Sequence, residues 1–286
     1  MKYILRSLLF ALMVFISQLS FAQKKFAHPE RVRYDGSCMT IEGKDVFVYS
    51  AAFHYFRCPE ELWKDRFRQI KEAGFNTVET YVPWNWHERT MPLSLDDTTH
   101  FDFSDLKRWL KMAQDEYGFY TIVRPGPFIC AEYSGGGYPR WLAKYRPESV
   151  DDFWLRSADE RHIRWSQHWF DAVCKAVADE QITRKPVGDK GIILIQIENE
   201  YNHHGCDGKE KLLKALYSSV RKSGMDIPVF TCLTNECRSS RDPELSQVFD
   251  SDNYYVGLSS APDCAYRMSN LKKAQPDAPG FVTELQ

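Results

Sequence analysis

The sequence predicts an α/β protein of the (β/α)8 TIM-barrel class, on three observations. Apolar runs suited to strands buried on both faces alternate with helical patterns, the order that produces a parallel sheet. No linker, repeat or low-complexity tract divides the chain. Two of the runs, Ile192-Ile193-Leu194-Ile195-Gln196-Ile197-Glu198-Asn199-Glu200-Tyr201 and Gly280-Phe281-Val282-Thr283-Glu284-Leu285, deliver carboxylates to their C-terminal ends, which is where barrels of this kind carry their chemistry.

The first strand is expected over residues 46–53. Pro59 then opens a helix that stops at Gly74, with proline inside the start and glycine past the end. A short strand covers 77–82. Ser104 or Asp102 caps the next helix, in which Leu106, Trp109, Leu110 and Ala113 recur at helical spacing up to Gly118. The third strand, 120–123, is stopped by Arg124-Pro125-Gly126-Pro127. A long helix over 157–182 precedes the strand that starts at Ile192. There follow a helix over 209–223 ended by Gly224, a strand over 228–233, a strand-like segment 252–256, a helix around 265–273 and a last strand at Phe281. The count is about seven, whereas a closed barrel has eight. The expectation is therefore a barrel incomplete at the C-terminus.

Residues 1–22 have the pattern of a secretory signal peptide: Lys2 and Arg6, an apolar stretch from Leu8 to Ile16, and Ser20-Phe21-Ala22 before Gln23. That apolar stretch is shorter than the roughly 20 residues of a membrane span. An exported, periplasmic or secreted protein is expected, with residues 23–286 as one catalytic domain and no membrane association after cleavage. Lys and Arg number 37 against 39 Asp and Glu, a balance that gives no basis for a nucleic-acid partner.

The eight cysteines are widely and irregularly spaced and contain no C-x-x-C pair. Neither His203-His204 nor Cys232 with Cys237 makes a recognisable metal set, so neither metal nor cofactor is expected. Gly135-Gly136-Gly137 lacks the Lys-Ser/Thr of a phosphate cradle and reads as a flexible loop. Trp84, Trp86, Tyr133, Tyr138 and Tyr201 fall in loops after strands, where they could stack on a sugar or simply fill the core. His54 and His87, near strand ends, read equally as sugar ligands or as structural histidines.

Two carboxylates on different strand ends, Glu200 and Glu284, are what glycoside hydrolysis requires. Glu79 and Glu132 also end strands, and read as acceptors for sugar hydroxyls or as partners of Arg124.

Three blocks extend this reading: Gly74-Phe75-Asn76-Thr77-Val78-Glu79-Thr80-Tyr81-Val82-Pro83-Trp84-Asn85-Trp86-His87-Glu88; Arg124-Pro125-Gly126-Pro127-Phe128-Ile129-Cys130-Ala131-Glu132-Tyr133 with Gly136-Gly137-Tyr138-Pro139-Arg140-Trp141-Leu142; and Ile195-Gln196-Ile197-Glu198-Asn199-Glu200-Tyr201. Together they make the chain resemble the catalytic barrel of the glycoside hydrolase family 35 β-galactosidases over residues 40–286. The resemblance implies a retaining exo-β-galactosidase that works by double displacement on the terminal β-galactose of an oligo- or polysaccharide. It implies Glu200 as general acid/base, Glu284 as nucleophile, and Tyr81, Cys130, Ala131, Glu132 and Asn199 as the residues that hold the sugar. Asn202 and Leu285 depart from the family pattern, which usually has glycine and an aromatic there. Two other readings stand beside this one: the same mechanism on a glucosaminide or a galactan end, and a carbohydrate-binding, catalytically weak fragment truncated after the strand of Glu284.

Overall fold

The computed structural model describes residues 26–145, 154–201, 209–233, 244–255 and 261–285. The signal-peptide pattern, His203-His204, Asn202 and Cys237 lie outside these residues.

The chain opens with a three-stranded antiparallel sheet, β1 (Val32–Tyr34), β2 (Met39–Ile41) and β3 (Lys44–Val46). The strand expected over 46–53 is two pieces: Val46 ends β3, and the first parallel strand is β4 (Ser50–Ala52). Between them Phe47 and Tyr49 are exposed, and Asn76 captures the Tyr49 N–H with its side-chain oxygen at 3.0 Å. An apolar run does not have to be one strand when a side chain competes for its backbone.

Helix α1 (Trp63–Glu72) follows and ends at Gly74, whose φ of +88° is the left-handed stop that glycine allows. Next come β5 (Thr77–Tyr81), a single turn α2 (Trp84–His87), and α3 (Ser104–Lys111). The N-cap of α3 is Phe103, not Ser104 or Asp102, and Asp102 just before it accepts the Ser104 N–H at 2.9 Å. A π-helical turn, Met112–Glu116, carries α3 on toward Gly118. After β6 (Tyr120–Arg124) the long helix α4 runs Glu160–Val177, shorter than the sequence pattern suggests. Its N-terminus is fixed by Asp159, which accepts the Arg161 N–H at 2.8 Å, and two 3-10 turns replace its expected tail. The remaining elements are β7 (Ile192–Gln196), α5 (Lys209–Lys222), β8 (Val229–Cys232), β9 (Val248–Tyr254), α6 (Ala261–Ala274) and β10 (Val282–Leu285).

Strands β4 to β10 form one parallel sheet in sequence order. One cavity is lined by residues of both edge strands, Ser50 and Ala52 of β4 and Val282 to Leu285 of β10, so the sheet curls until its edges face each other. This is the architecture of an incomplete (β/α)8 barrel, with the seven strands expected. The helix-facing layer is apolar: Phe67 of α1 packs on Phe53, Trp109 and Phe119, and Trp169 of α4 stacks on Trp84. The β1–β3 sheet lies across the N-terminal end of the strands. Arg31, just before β1, donates to Ile182 O at 2.6 Å, and Tyr34 of β1 packs edge-on against Phe249.

Candidate active site

Each parallel strand from β5 to β10 contributes to a cluster at the C-terminal end of the sheet. Arg124, the last residue of β6, stands at its centre, 1% exposed. Its guanidinium donates to Gln196 Oε1 at 2.5 Å, Glu79 Oε1 at 3.0 Å, Asn199 Oδ1 at 3.1 Å and Glu284 Oε1 at 2.8 Å, and it lies 4.0 Å over the Tyr81 ring. A buried guanidinium needs such a shell, because an unpaired charge there would cost several kcal/mol.

Glu284 is reached from two more directions. The Tyr81 hydroxyl donates to Oε1 and the Tyr255 hydroxyl donates to Oε2 at 2.6 Å. Burial pushes the Glu284 carboxyl upward, but the charge of Arg124 and the two phenols outweigh it and hold the group below the ordinary carboxylate range. Glu79 shares the same arginine yet moves the other way, because its complete burial dominates. One cation thus serves two acids on the same cavity wall, and their carboxyls are moved in opposite directions.

Glu200 follows β7 and presents its carboxyl to the same cavity, where Asn253 donates to Oε1 at 2.9 Å. Asn199, beside it, is buried. Its oxygen accepts from Tyr81 at 3.3 Å, Arg124 and Gln196 at 3.0 Å, and its amide nitrogen faces Ile129 O at 3.5 Å.

The cavity, of about 710 Å³, is lined by Tyr81, Cys130, Ala131, Glu132, Glu200 and Glu284 among others. Six of the seven residues singled out from sequence therefore share one wall, and Asn199 lies a layer behind it. Cys130, Ala131 and Glu132 take φ values of +53°, +52° and +45°, a left-handed run of three residues with side chains. Each costs on the order of 1–3 kcal/mol, strain that is typical of a ligand-binding loop. Arg57 ties the run down by donating to Ala131 O.

Several readings resolve differently. Trp84, Tyr138 and Tyr201 are buried, so the core, not a sugar platform, accounts for them. His87 is buried between the Tyr55 hydroxyl and Asp102 O and is structural. His54 lines the cavity, and burial together with Arg57 and Arg124 pushes it down to about 4, so it is a neutral group at neutral pH. Gly135-Gly136-Gly137 is a tight left-handed turn, not a slack loop: a Cβ on Gly136 would lie 2.1 Å from the Phe128 ring. Among the described residues, no group of three His, Cys, Asp or Glu could hold a metal ion.

Sequence reasoning missed Tyr255 and Asn253, and gave Arg124 only as a partner for acids. The available signals were an arginine closing an apolar strand, and the aromatic pair Tyr254-Tyr255 after a polar one.

The profile of Glycosyl hydrolases family 35 matches residues 38–286. A beta-galactosidase-1-like protein 3 of Rattus norvegicus is 38% identical over 62% of this chain and 26% of its own length. A probable beta-galactosidase B of Talaromyces marneffei is 30% identical over 89% of this chain and 27% of its own. An exo-beta-D-glucosaminidase of Pyrococcus horikoshii is 41% identical over 41% of this chain and 15% of its own. The chain thus spans about a quarter or less of the length of these relatives. Among solved structures, a GH2 beta-galacturonidase from Eisenbergiella tayi bound to galacturonate superposes with a TM-score of 0.52 at 15% identity, covering 89% of this chain and 38% of that one. A beta-galactosidase from Marinomonas ef1 gives 0.51 at 10%, over 74% and 41%. These two are likenesses of fold.

Proposed function

The chain belongs to glycosyl hydrolase family 35, and on that premise we propose that it is a retaining exo-β-galactosidase acting on terminal, non-reducing β-galactose. The observation that carries this reading is the environment of Glu284. A carboxylate on a cavity wall, held ionised by one guanidinium and two phenols, is prepared to attack and not to donate a proton.

In the first step Glu284 forms a bond to the anomeric carbon while the bond to the leaving oxygen breaks, and Glu200 transfers its proton to that oxygen. In the second, Glu200 takes a proton from water, the water oxygen bonds to the anomeric carbon, and Glu284 leaves as carboxylate. Tyr81 and Arg124 hold the attacking oxygen in place, and Asn199 fixes both of them from behind. Cys130, Ala131 and Glu132 contribute the rigid wall on which the sugar hydroxyls rest. Export through the first 22 residues is part of the proposal.

The test is the configuration of the first-formed product, followed by proton NMR during hydrolysis of an aryl β-galactoside. β-Galactose before mutarotation agrees with double displacement, and α-galactose would rule it out. Similarity to the Pyrococcus horikoshii glucosaminidase favours one second reading, the same chemistry on a β-glucosaminide. Parallel assays of the aryl β-glucosaminide separate the two.

A further inference from the structure

The Glu200 carboxyl receives one side-chain hydrogen bond among the described residues, from Asn253 Nδ2 to Oε1 at 2.9 Å. Asn253 sits on β9, buried, and is held from its other end. Its Oδ1 accepts from Thr283 Oγ1 at 2.9 Å and from Cys232 Sγ at 3.1 Å. Burial pushes the Cys232 thiol up to about 12, so the sulfur keeps the proton it donates. Ser251 Oγ lies 2.9 Å from Thr283 Oγ1 and can donate to it, which leaves the Thr283 hydroxyl proton for Asn253. Two donors on Oδ1 define which way the amide faces, and its N–H₂ is directed at Glu200.

The backbone brings the same partners together. The pairing of β10 with β9 shifts register between Val282 and Glu284, which sets Glu284 opposite Asn253. Such a bulge re-aims side chains beside a site. Thr283, the neighbour of the proposed nucleophile, thereby reaches the amide that touches the proposed acid.

We infer that Asn253 is a positioning residue that assigns the proton of Glu200 to Oε2. A neutral carboxyl has one carbonyl oxygen and one hydroxyl oxygen, and an amide N–H is better accepted by the carbonyl oxygen. With Nδ2 bound to Oε1, the acidic proton resides on Oε2, the oxygen free to meet the leaving group. In the deglycosylation step the same contact holds the carboxylate still while Oε2 takes the proton of water. The inference rests on Glu200 as acid/base, so its test separates the two claims.

In the full chain, kcat/KM is measured for aryl β-galactosides from dinitrophenyl to phenyl, in Glu200→Gln, Asn253→Ala and Thr283→Val. Each variant is first checked for cooperative thermal unfolding. Glu200→Gln steepens the dependence on leaving group, since only poor leaving groups need protonation. Asn253→Ala is expected to reproduce part of that pattern, losing roughly 10–100-fold on the phenyl glycoside and no more than about threefold on the dinitrophenyl one. Thr283→Val, which keeps the side-chain shape and removes the anchor of the amide, shifts the same way by about threefold on the phenyl glycoside, and decides the matter should Asn253→Ala fail to fold. Steepening in Glu200→Gln with uniform losses, or none, in the other two overturns the role of Asn253 and leaves the acid/base assignment standing. No steepening in Glu200→Gln removes that assignment itself.

Discussion

At the N-terminal ends of the parallel strands the chain is closed by backbone contacts and apolar packing: Arg31 rests on Ile182 O, Tyr34 packs on Phe249, and Phe119, which leads into β6, packs on Phe67 of α1. At the C-terminal ends of the same strands stand Glu79, Arg124, Glu198, Asn199, Glu200 and Glu284. Backbone strain follows the same division. Apart from Glu42 in the β2–β3 turn, every described residue with a side chain and a left-handed φ lies in a loop after β6, β7 or β8. One end of the sheet is built from interactions that stabilise the fold. The other holds charges and strain that are costly to the fold, the mark of a candidate functional site.

The comparison breaks if a substitution at the polar end leaves chemistry intact, or one at the apolar end alters it. The largest effect is expected for Arg124→Met, which leaves Glu79 buried without its cation and Glu284 without its charge partner. Stability should fall by about 3–5 kcal/mol, as for one half of a buried pair. Activity should fall with it. The pH dependence has a definite sign. Because the Glu284 carboxyl is held below its ordinary range, its contribution to stability is present above the unfolded value and is lost as pH falls through the lowered one. Without Arg124 the acid limb of kcat/KM should move to higher pH, as pH–rate profiles of the two proteins would reveal; an unmoved limb would mean that Arg124 does not govern Glu284.

Phe67→Ala sharpens the contrast from the other side. Phe67 is fully buried, and its truncation should lower stability by about 3–5 kcal/mol. Activity per folded molecule, measured well below the melting transition, should stay within about twofold of the parent. Asp159→Ala, at the start of α4, is the smallest case: loss of the cap to the Arg161 N–H should cost about 1 kcal/mol in denaturant unfolding, again without a kinetic effect.

The same division explains what could be read from the sequence. Strand β7 was legible because Ile192 to Ile195 are buried on both faces and the run changes to polar residues at the mouth. Strand β9 was half legible. All seven of its residues are buried, yet it reads Val-Phe-Asp-Ser-Asp-Asn-Tyr, and such a string resembles a loop until its partners are known. Those partners are Arg267 for Asp252, Thr283 for Ser251 and Glu200 for Asn253. They come from other elements, and no local pattern announces them. The β1–β3 sheet escaped notice for a related reason, since its strands are three residues long and gain their meaning only against the strand ends they cover.

The central claim is that Glu284 forms the covalent bond and Glu200 moves the proton. The most direct measurement is to trap the intermediate with a 2-deoxy-2-fluoro-β-galactosyl donor bearing an activated leaving group, digest the protein and locate the label by tandem mass spectrometry. A 2-fluorogalactosyl ester on Glu284, accumulating as activity is lost and absent from Glu284→Gln, is the predicted result. A label on Glu200 or Glu79 would contradict the account, as would a protein that turns over the donor with inversion and carries no label.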